Sequence, residues 1–394
     1  MTTEYFWDTD MKIYYISPSE IPSRSANSIH VILQTHALNS IGNSVTLFCK
    51  RTIRDSSEFR QAVDDGYGLS FREINIISYF SKSSTATNIK IMLLFLLYFF
   101  KNPIPDLIIS RNLYASFVLA VILRKRIFFE THQLEFGLKK FMQKSIIRSN
   151  SVTTILISGQ LLKFIRNHLE IENFNHIILP DAAKEGIKPI SPHRKKELLD
   201  DVTGHQNWDL VCSYFGAIHE GRGVEVIYEM AHKRPKVLFL IYGGTKTECD
   251  DLNDLSTLNN LKHYPHISHK EALDRMQVAD ILLMPYQRKL SVGEDGKGSN
   301  TSDWMSPMKM FDYLASGVPI ISSDLKSLRE ILKHKHNSIL VEPTDSDSWA
   351  EALDMLSSDS NLYDTVAKNA YLDYKTKYTW NIRAENIIKK SKSI

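Results

Sequence analysis

Lys12 to Cys49 reads KIYYISPSEIPSRSANSIHVILQTHALNSIGNSVTLFC, and its changes of rhythm decide the fold. KIYYIS, Lys12 to Ser17, is a short β-rich run that ends at Pro18. From Ser28 to Ile41 the pattern turns helical, with Ile29, Leu33, Ala37 and Ile41 on one face, and Gly42 stops it. VTLFC, Val45 to Cys49, follows as a buried strand. Strand, loop, helix and strand within about forty residues form the unit from which parallel sheets are built.

The same rhythm continues. Asp106–Ser110 (DLIIS) and Arg126–Glu130 (RIFFE) are apolar strands around a helical stretch, Tyr114–Leu123. Ser151–Ser158 precedes a helix at Gly159–Leu169, and Ile177–Leu179 closes this half at Pro180. Residues 181–207 are polar, with Pro189, Pro192 and the run His193-Arg194-Lys195-Lys196-Glu197, and read as a linker or a peripheral helix. A second series then runs from LVCSYF (Leu210–Phe215) into Gly216, through a helix at Val224–His232, from VLFLIY (Val237–Tyr242) into Gly243-Gly244, and from Ile281–Met284 into Pro285. Each apolar run ends in a Gly, Pro or polar residue, which places the loops at the C-terminal strand edges where open α/β sheets bind ligands. A chain of 394 residues exceeds one ordinary core, so two Rossmann-like domains are expected, 1–185 and 186–375, with parallel sheets facing a central cleft.

Composition narrows the function. With 43% hydrophobic and 24% charged residues the chain is globular, and a formal charge of +3 argues against nucleic acid as a partner. Cys49, Cys212 and Cys249 are too scattered for a disulfide framework or a Cys-based metal site, which suits a reducing cytoplasm. Residues 1–10 are acidic where a signal peptide needs basic ones and read as a short extension. The most apolar segment, Ile89–Phe100 (IKIMLLFLLYFF), is too short to span a bilayer. It is either a buried element or an interfacial face, with Lys82, Lys90 and Lys101 beside it.

Two motifs point to an anion. FGAIHEGRG, Phe215–Gly223, follows a strand and leads into a helix, the setting in which backbone N–H groups and a cation, here Arg222, take a phosphate. Its spacing is not that of a dinucleotide fingerprint, and a tight turn with a solvated Arg fits the local sequence as well. In SPMKMFDYLASGVPIIS, Ser306–Ser322, Ser306 is the expected N-cap, Pro307 the first helical residue and Gly317 the stop. Lys309 near that N-terminus opposes the helix dipole, a mild sign of service to a ligand, and Asp312 one turn on is either a solvated residue or an acceptor for sugar hydroxyls. Ser291–Asp303 carries three glycines and reads as a mobile lid or a surface excursion. Asp8-x-Asp10 and Asp345-x-Asp347 lie in poor contexts for a metal-bound nucleotide, so no metal is expected.

With these motifs the chain resembles the retaining GT-B glycosyltransferases of family 4, in the branch that builds bacterial surface polysaccharides. The resemblance covers nearly the whole length, through KIYYISPSEIPSRSANSIHV, FFETH at Phe128–His132, FGAIHEGRG, SPMKMFDYLASGVPIIS with NSILVEPTDSDSWAEAL, and YTWNIRAENI, similar to a last helix (376–394) that crosses back to the first domain. It implies that Arg222 binds the donor diphosphate, that Lys309 replaces an arginine missing at Ala217, and that Asp312 holds the ribose. Gly216, Gly243, Ser306, Pro307 and Met308 complete the implied donor side. Trp304 stands where the family has a first glutamate, with Asp303 its neighbouring substitute, while His132 faces the donor sugar and Glu130 orients it. Ser23, Arg24, Ala26, Asn27 and Ser28 replace the family's more common Gly-Gly loop, and the resemblance implies that this loop meets the acceptor or a donor phosphate through its N–H groups. The implied activity is transfer of a hexose from a UDP- or GDP-linked donor to a lipid-linked or oligosaccharide acceptor, without metal or other cofactor, in O-antigen or capsule synthesis. The implied location is cytoplasmic, at the periphery of the inner membrane. A sugar-nucleotide epimerase or hydrolase, and a non-catalytic partner subunit of another transferase, are the alternatives.

Overall fold

A computed structural model describes residues 11–71, 73–83, 86–187, 190–204, 206–290 and 300–393. The expected extension 1–10, Pro189 and most of the glycine-rich stretch, 291–299, lie outside them. The chain divides into two compact units, one formed by Met1–Asp181 with Trp380–Ile394 and the other by Ala182–Thr379.

The first unit runs β1 (Lys12–Glu20), α1 (Ala26–Ser40), β2 (Ser44–Arg51), α2 (Ser56–Tyr67), β3 (Asn75–Phe80), α3 (Thr87–Phe99), β4 (Leu107–Ser110) and α4 (Leu113–Phe117). A π-helical stretch, Val118–Ile122, continues α4, followed by β5 (Ile127–Thr131), α5 (Leu138–Ile147), β6 (Val152–Leu156), α6 (Gly159–Leu169) and β7 (His176–Ile178). Among the described residues these strands form one parallel sheet, ordered β3-β2-β1-β4-β5-β6-β7. Ile13–Ile16 are fully buried, as expected of a central parallel strand covered on both faces.

The second unit opens with α7 (Pro192–Thr203), β8 (Leu210–Phe215), α8 (Val224–Lys233), β9 (Val237–Tyr242), α9 (Lys246–Leu255), β10 (Leu261–Tyr264), α10 (His269–Met276) and β11 (Ile281–Met284). It continues with α11 (Met308–Ser316), β12 (Ile320–Ser323), β13 (Ile339–Val341), α12 (Ser346–Ser358) and α13 (Ser360–Lys377); α14 (Trp380–Lys392) then belongs to the first unit. Its parallel sheet is ordered β10-β9-β8-β11-β12-β13. Leu238, Leu240 and Tyr242 face one buried cluster while Val237, Phe239 and Ile241 face another, so the period of two along β9 feeds two helix layers. Both sheets reverse strand order beside their first strand, β1/β4 and β8/β11, and the crevice outside the strand C-termini at such a reversal is where open α/β sheets bind ligands.

Three local readings are corrected, and one that stood open between a linker and a peripheral helix, residues 181–207, is decided for the helix. The first strand does not end at Pro18 but runs to Glu20, with its register to β2 shifting between Ile16 and Glu20, around a proline that has no N–H to donate. The helix expected over Tyr114–Leu123 breaks into α4 and the π-helical stretch. Within the polar segment 181–207 a helix forms, α7, because Ser191 accepts from the Arg194 N–H and Pro192 opens the first turn. The cap of α11 is Pro307 rather than Ser306, with no side-chain hydrogen bond, while Gly317 does end the helix at φ +69°. Among the described residues no helix is long and apolar enough to cross a membrane.

Candidate active site

In the second unit, β8 delivers the chain to Gly216 at φ +151°. A Cβ there would lie 2.5 Å from the Lys309 Nζ, so the missing side chain makes room for an ammonium group. The amides of Gly216 and Gly243 already donate to Tyr242 and Tyr264 carbonyls, both at 2.9 Å. Their contribution is therefore close approach, since a Cβ on Gly243 would sit 1.8 Å from the Gly216 carbonyl oxygen.

Lys309 occupies the first turn of α11, a turn with no acidic residue and no side-chain cap. Its Nζ is buried without a hydrogen-bond partner, 4.1 Å from the Tyr214 ring centroid and 4.7 Å from that of Tyr286. Burial, and then Arg222, hold its pKa well below that of an ordinary lysine. The Arg222 guanidinium also lies over Tyr286, at 5.7 Å, and its Nε donates to His219 Nε2 at 3.4 Å. Two cations thus share one tyrosine beside a helix N-terminus whose first N–H groups no side chain caps. That is a pre-built place for an anion.

Asp312, one turn along α11, is buried rather than solvated and accepts from His269 Nε2 at 3.0 Å. Burial would lower the His269 pKa, but Asp312 outweighs it and the net shift is upward. Asp303 is exposed in a turn and Trp304 is buried beside it, both ahead of the helix start at Met308. Helical spacing back from Asp312 therefore does not describe their direction. Ser306 is buried, and Pro307 and Met308 lead directly into the uncapped turn.

In the first unit, Glu130 at the end of β5 is fully buried and gathers charge. Its Oε1 accepts from His132 Nε2 at 2.9 Å and Arg383 Nη2 at 2.8 Å, and its Oε2 accepts from the Tyr15 hydroxyl at 3.2 Å. His30 Nε2 lies 2.8 Å from the same Oε1, without hydrogen-bond geometry, while His30 Nδ1 meets Asp181 Oδ1 at 2.6 Å. Burial would raise the Glu130 carboxyl, but Arg383, His30 and Arg111 hold it well below the usual range. Arg383, on α14, also donates to the Pro180 carbonyl at 3.0 Å and to Gln34.

His132 has both nitrogens committed, Nε2 to Glu130 and Nδ1 accepting from Arg111 Nη2 at 3.2 Å. Burial, then Arg111, lowers its pKa to about 4 against the pull of Glu130. The imidazole is neutral at pH 7, with Glu130 and Arg111 fixing its orientation. His30, Glu130 and His132 bring potential ligand atoms within 4.8 Å of one another, but Arg383 sits on the shared carboxylate, so the set fits an ion-pair network better than a cation. Ser28 does not offer its groups: its N–H is taken by Ser25 and its hydroxyl donates to the Glu20 carbonyl at 2.6 Å.

A pH prediction follows. Between pH 6.5 and about 4 the unfolded chain protonates its counterpart of His132 while the native imidazole stays neutral, so stability falls as pH drops through that window. Glu130 and Asp181, both held low, add to the loss at its acidic end. Melting temperature should decline from pH 6.5 to 4, and His132→Asn should flatten the upper part of the decline; a level wild-type profile there contradicts the neutral assignment.

Sequence reasoning singled out His132 and Glu130 but missed Arg111, His30, Asp181 and Arg383. Arg111 was findable, since it directly follows the strand DLIIS at the sheet's strand-order reversal.

Residues 195–373 match the family model of glycosyl transferases group 1. An uncharacterized glycosyltransferase of Methanocaldococcus jannaschii is 36% identical over 77 residues, 19% of this chain and 20% of that protein. A putative teichuronic acid biosynthesis glycosyltransferase, TuaH of Bacillus subtilis, is 28% identical over 125 residues, 32% of this chain and 29% of its own. The chain thus spans less than a third of the length of either curated relative. Alr3699/HepE of Anabaena, solved with UDP-glucose, superposes with a TM-score of 0.68 over 98% of this chain and 100% of its own, at 15% identity. Two parallel-sheet Rossmann-like units in sequence, the second of them matching glycosyl transferases group 1 over 195–373, make this chain a protein of the GT-B fold.

Proposed function

We propose that the protein is a retaining glycosyltransferase that moves a hexose from a nucleoside diphosphate sugar to a hydroxyl of a lipid-linked or oligosaccharide acceptor in surface-polysaccharide synthesis. The observation that carries this reading is the Lys309 ammonium, buried without a partner at the uncapped start of α11. An unpaired buried cation is costly, and a bound diphosphate removes that cost.

The physical task in such a reaction is to hold the negative charge that grows on the departing diphosphate. Lys309, Arg222 and the N-terminus of α11 do this without a metal, an effect worth several kcal/mol when the donors are fixed in advance. The Asp312 oxygen not engaged by His269 receives a ribose hydroxyl. In the first unit, neutral His132 is a rigid polar surface suited to a sugar, with Glu130 setting its tautomer. The match to TuaH supports a polysaccharide acceptor, and the UDP-glucose complex of HepE supports a UDP-linked donor.

Calorimetric titration of the purified chain with UDP- and GDP-sugars tests the reading. Arg222→Ala should weaken donor binding roughly tenfold or more with little change in melting temperature. Equal donor affinity in Arg222→Ala and wild type removes the phosphate assignment. Absence of binding to every nucleotide sugar leaves the non-catalytic alternative, and donor turnover without acceptor favours the hydrolase.

A further inference from the structure

Residues 81–150 hold eleven Lys and Arg against three Asp and Glu, a formal +8 in a chain whose total is +3. Of the three acids, Glu130 is buried in the network already described, leaving Asp106 and Glu135. The remainder of the molecule is therefore net acidic, and the chain's net positive charge comes from the segment that holds α3, α4, α5 and their connections.

Those helices occupy one face of the first sheet. The crossovers β3 to β4, β4 to β5 and β5 to β6 all advance in the same direction along the sheet, so right-handed connections put their helices on the same side. α4 packs against both α3 and α5.

The face they present is apolar. On α3, Ile91, Phe95 and Phe99 point inward and are buried, while Leu93, Leu97 and Phe100 form a second apolar row that is exposed, Leu97 by 65%. Ile104 follows in the connection to β4, Ile122 ends the π-helical stretch, and Leu138 (77% exposed) and Phe141 project from the first turn of α5. Lys90, Lys101, Arg124, Lys139 and Arg148, all exposed, are interleaved with these rows. An exposed apolar surface of this extent marks an interaction site.

We propose that this face rests on an anionic lipid bilayer, with the outer rows of α3 and α5 in the headgroup and acyl boundary and the basic side chains among the lipid phosphates. Charge selects the occupant: a second copy would set +8 against +8, whereas an anionic leaflet complements both the apolar rows and the cations. α5 begins six residues after His132, so the lipid-facing surface and the His132 strand edge are joined by one short connection. The use of the surface, bringing a lipid-linked acceptor to that edge, rests on the glycosyltransferase reading; the surface itself rests on exposure and charge.

Co-sedimentation of the full chain with phosphatidylglycerol-containing vesicles and with phosphatidylcholine alone tests it. Binding to the anionic vesicles should be roughly tenfold stronger or more, and should weaken in about 0.5 M salt. The double variants L97E/F100E, L138E/F141E and K139E/R148E should each lose most of that binding while keeping the wild-type melting temperature and the wild-type stabilisation by nucleotide sugar. Equal partition onto neutral and anionic vesicles, or anionic binding that the variants leave unchanged, overturns the proposal. A solution dimer abolished by the same variants assigns the face to a second copy instead. Loss of vesicle binding with donor stabilisation intact separates this surface from the donor site.

Discussion

Lys309→Met should make the ligand-free protein more stable and the donor bind less well. The Lys309 ammonium is buried without a hydrogen-bond partner, and the two tyrosine rings beside it offset only part of that cost. A methionine fills nearly the same volume without charge, so the ligand-free form should gain about 1–2 kcal/mol, a rise of a few degrees in melting temperature. Donor affinity should fall roughly 10- to 100-fold, the usual worth of a hydrogen bond to a charged group. A bound anion raises the pKa that burial holds down in the ligand-free protein, so donor binding should weaken, and take up protons, as pH rises into the range where the free Lys309 loses its own. Calorimetry in buffers of different ionisation heat measures the proton, and Lys309→Arg, charged at every accessible pH, should remove the dependence. A variant that destabilises the ligand-free protein while binding donor normally would show that Lys309 is structural.

Arg383→Met should have the largest effect on folding. It strips Glu130 of the cation that contributes most to holding its carboxyl down, leaving a buried carboxylate that only histidines, Tyr15 and Arg111 support. Breaking a buried pair from one side costs about 3–5 kcal/mol. Glu130→Gln in the same background should recover a good part of that loss, because the stranded charge is then gone. Denaturant unfolding of the two single variants and the double variant closes the cycle. Additive single effects would mean that Arg383 acts through its contacts with Pro180 and Gln34 alone. The His132 tautomer gives an independent readout, since Glu130→Gln replaces the carboxylate that its Nε2 meets and should shift its imidazole resonances.

Much of the architecture was legible because parallel strands buried on both faces leave uninterrupted apolar runs. LVCSYF, VLFLIY and the helix Gly159–Leu169 fall at the very residues read from sequence. The elements that escaped are short or polar. β10 is LKHY, with Lys262 and Tyr264 only partly buried, and α10 is HKEALDRM, whose buried residues are only Ala272 and Met276. Within the site, Lys309 was conspicuous by its position against the helix dipole, but its surroundings come from Tyr214 in β8 and Tyr286 after β11, which no local pattern unites. Asp312 meets a histidine 43 residues away, and Arg383 meets a carboxylate 253 residues away; both depend on tertiary packing alone.

That last separation has a consequence for how the chain is made. The first unit is assembled from two separate stretches of the chain, and the whole second unit is synthesised between them. At translation rates of about 5–20 residues per second, Glu130 waits roughly 10–50 s for Arg383 to be polymerised. During that interval the carboxylate has His30, Arg111 and water but not its principal counter-charge, so the N-terminal sheet reaches its final stability only after the last helix has been released. The second unit carries no such debt and can fold first.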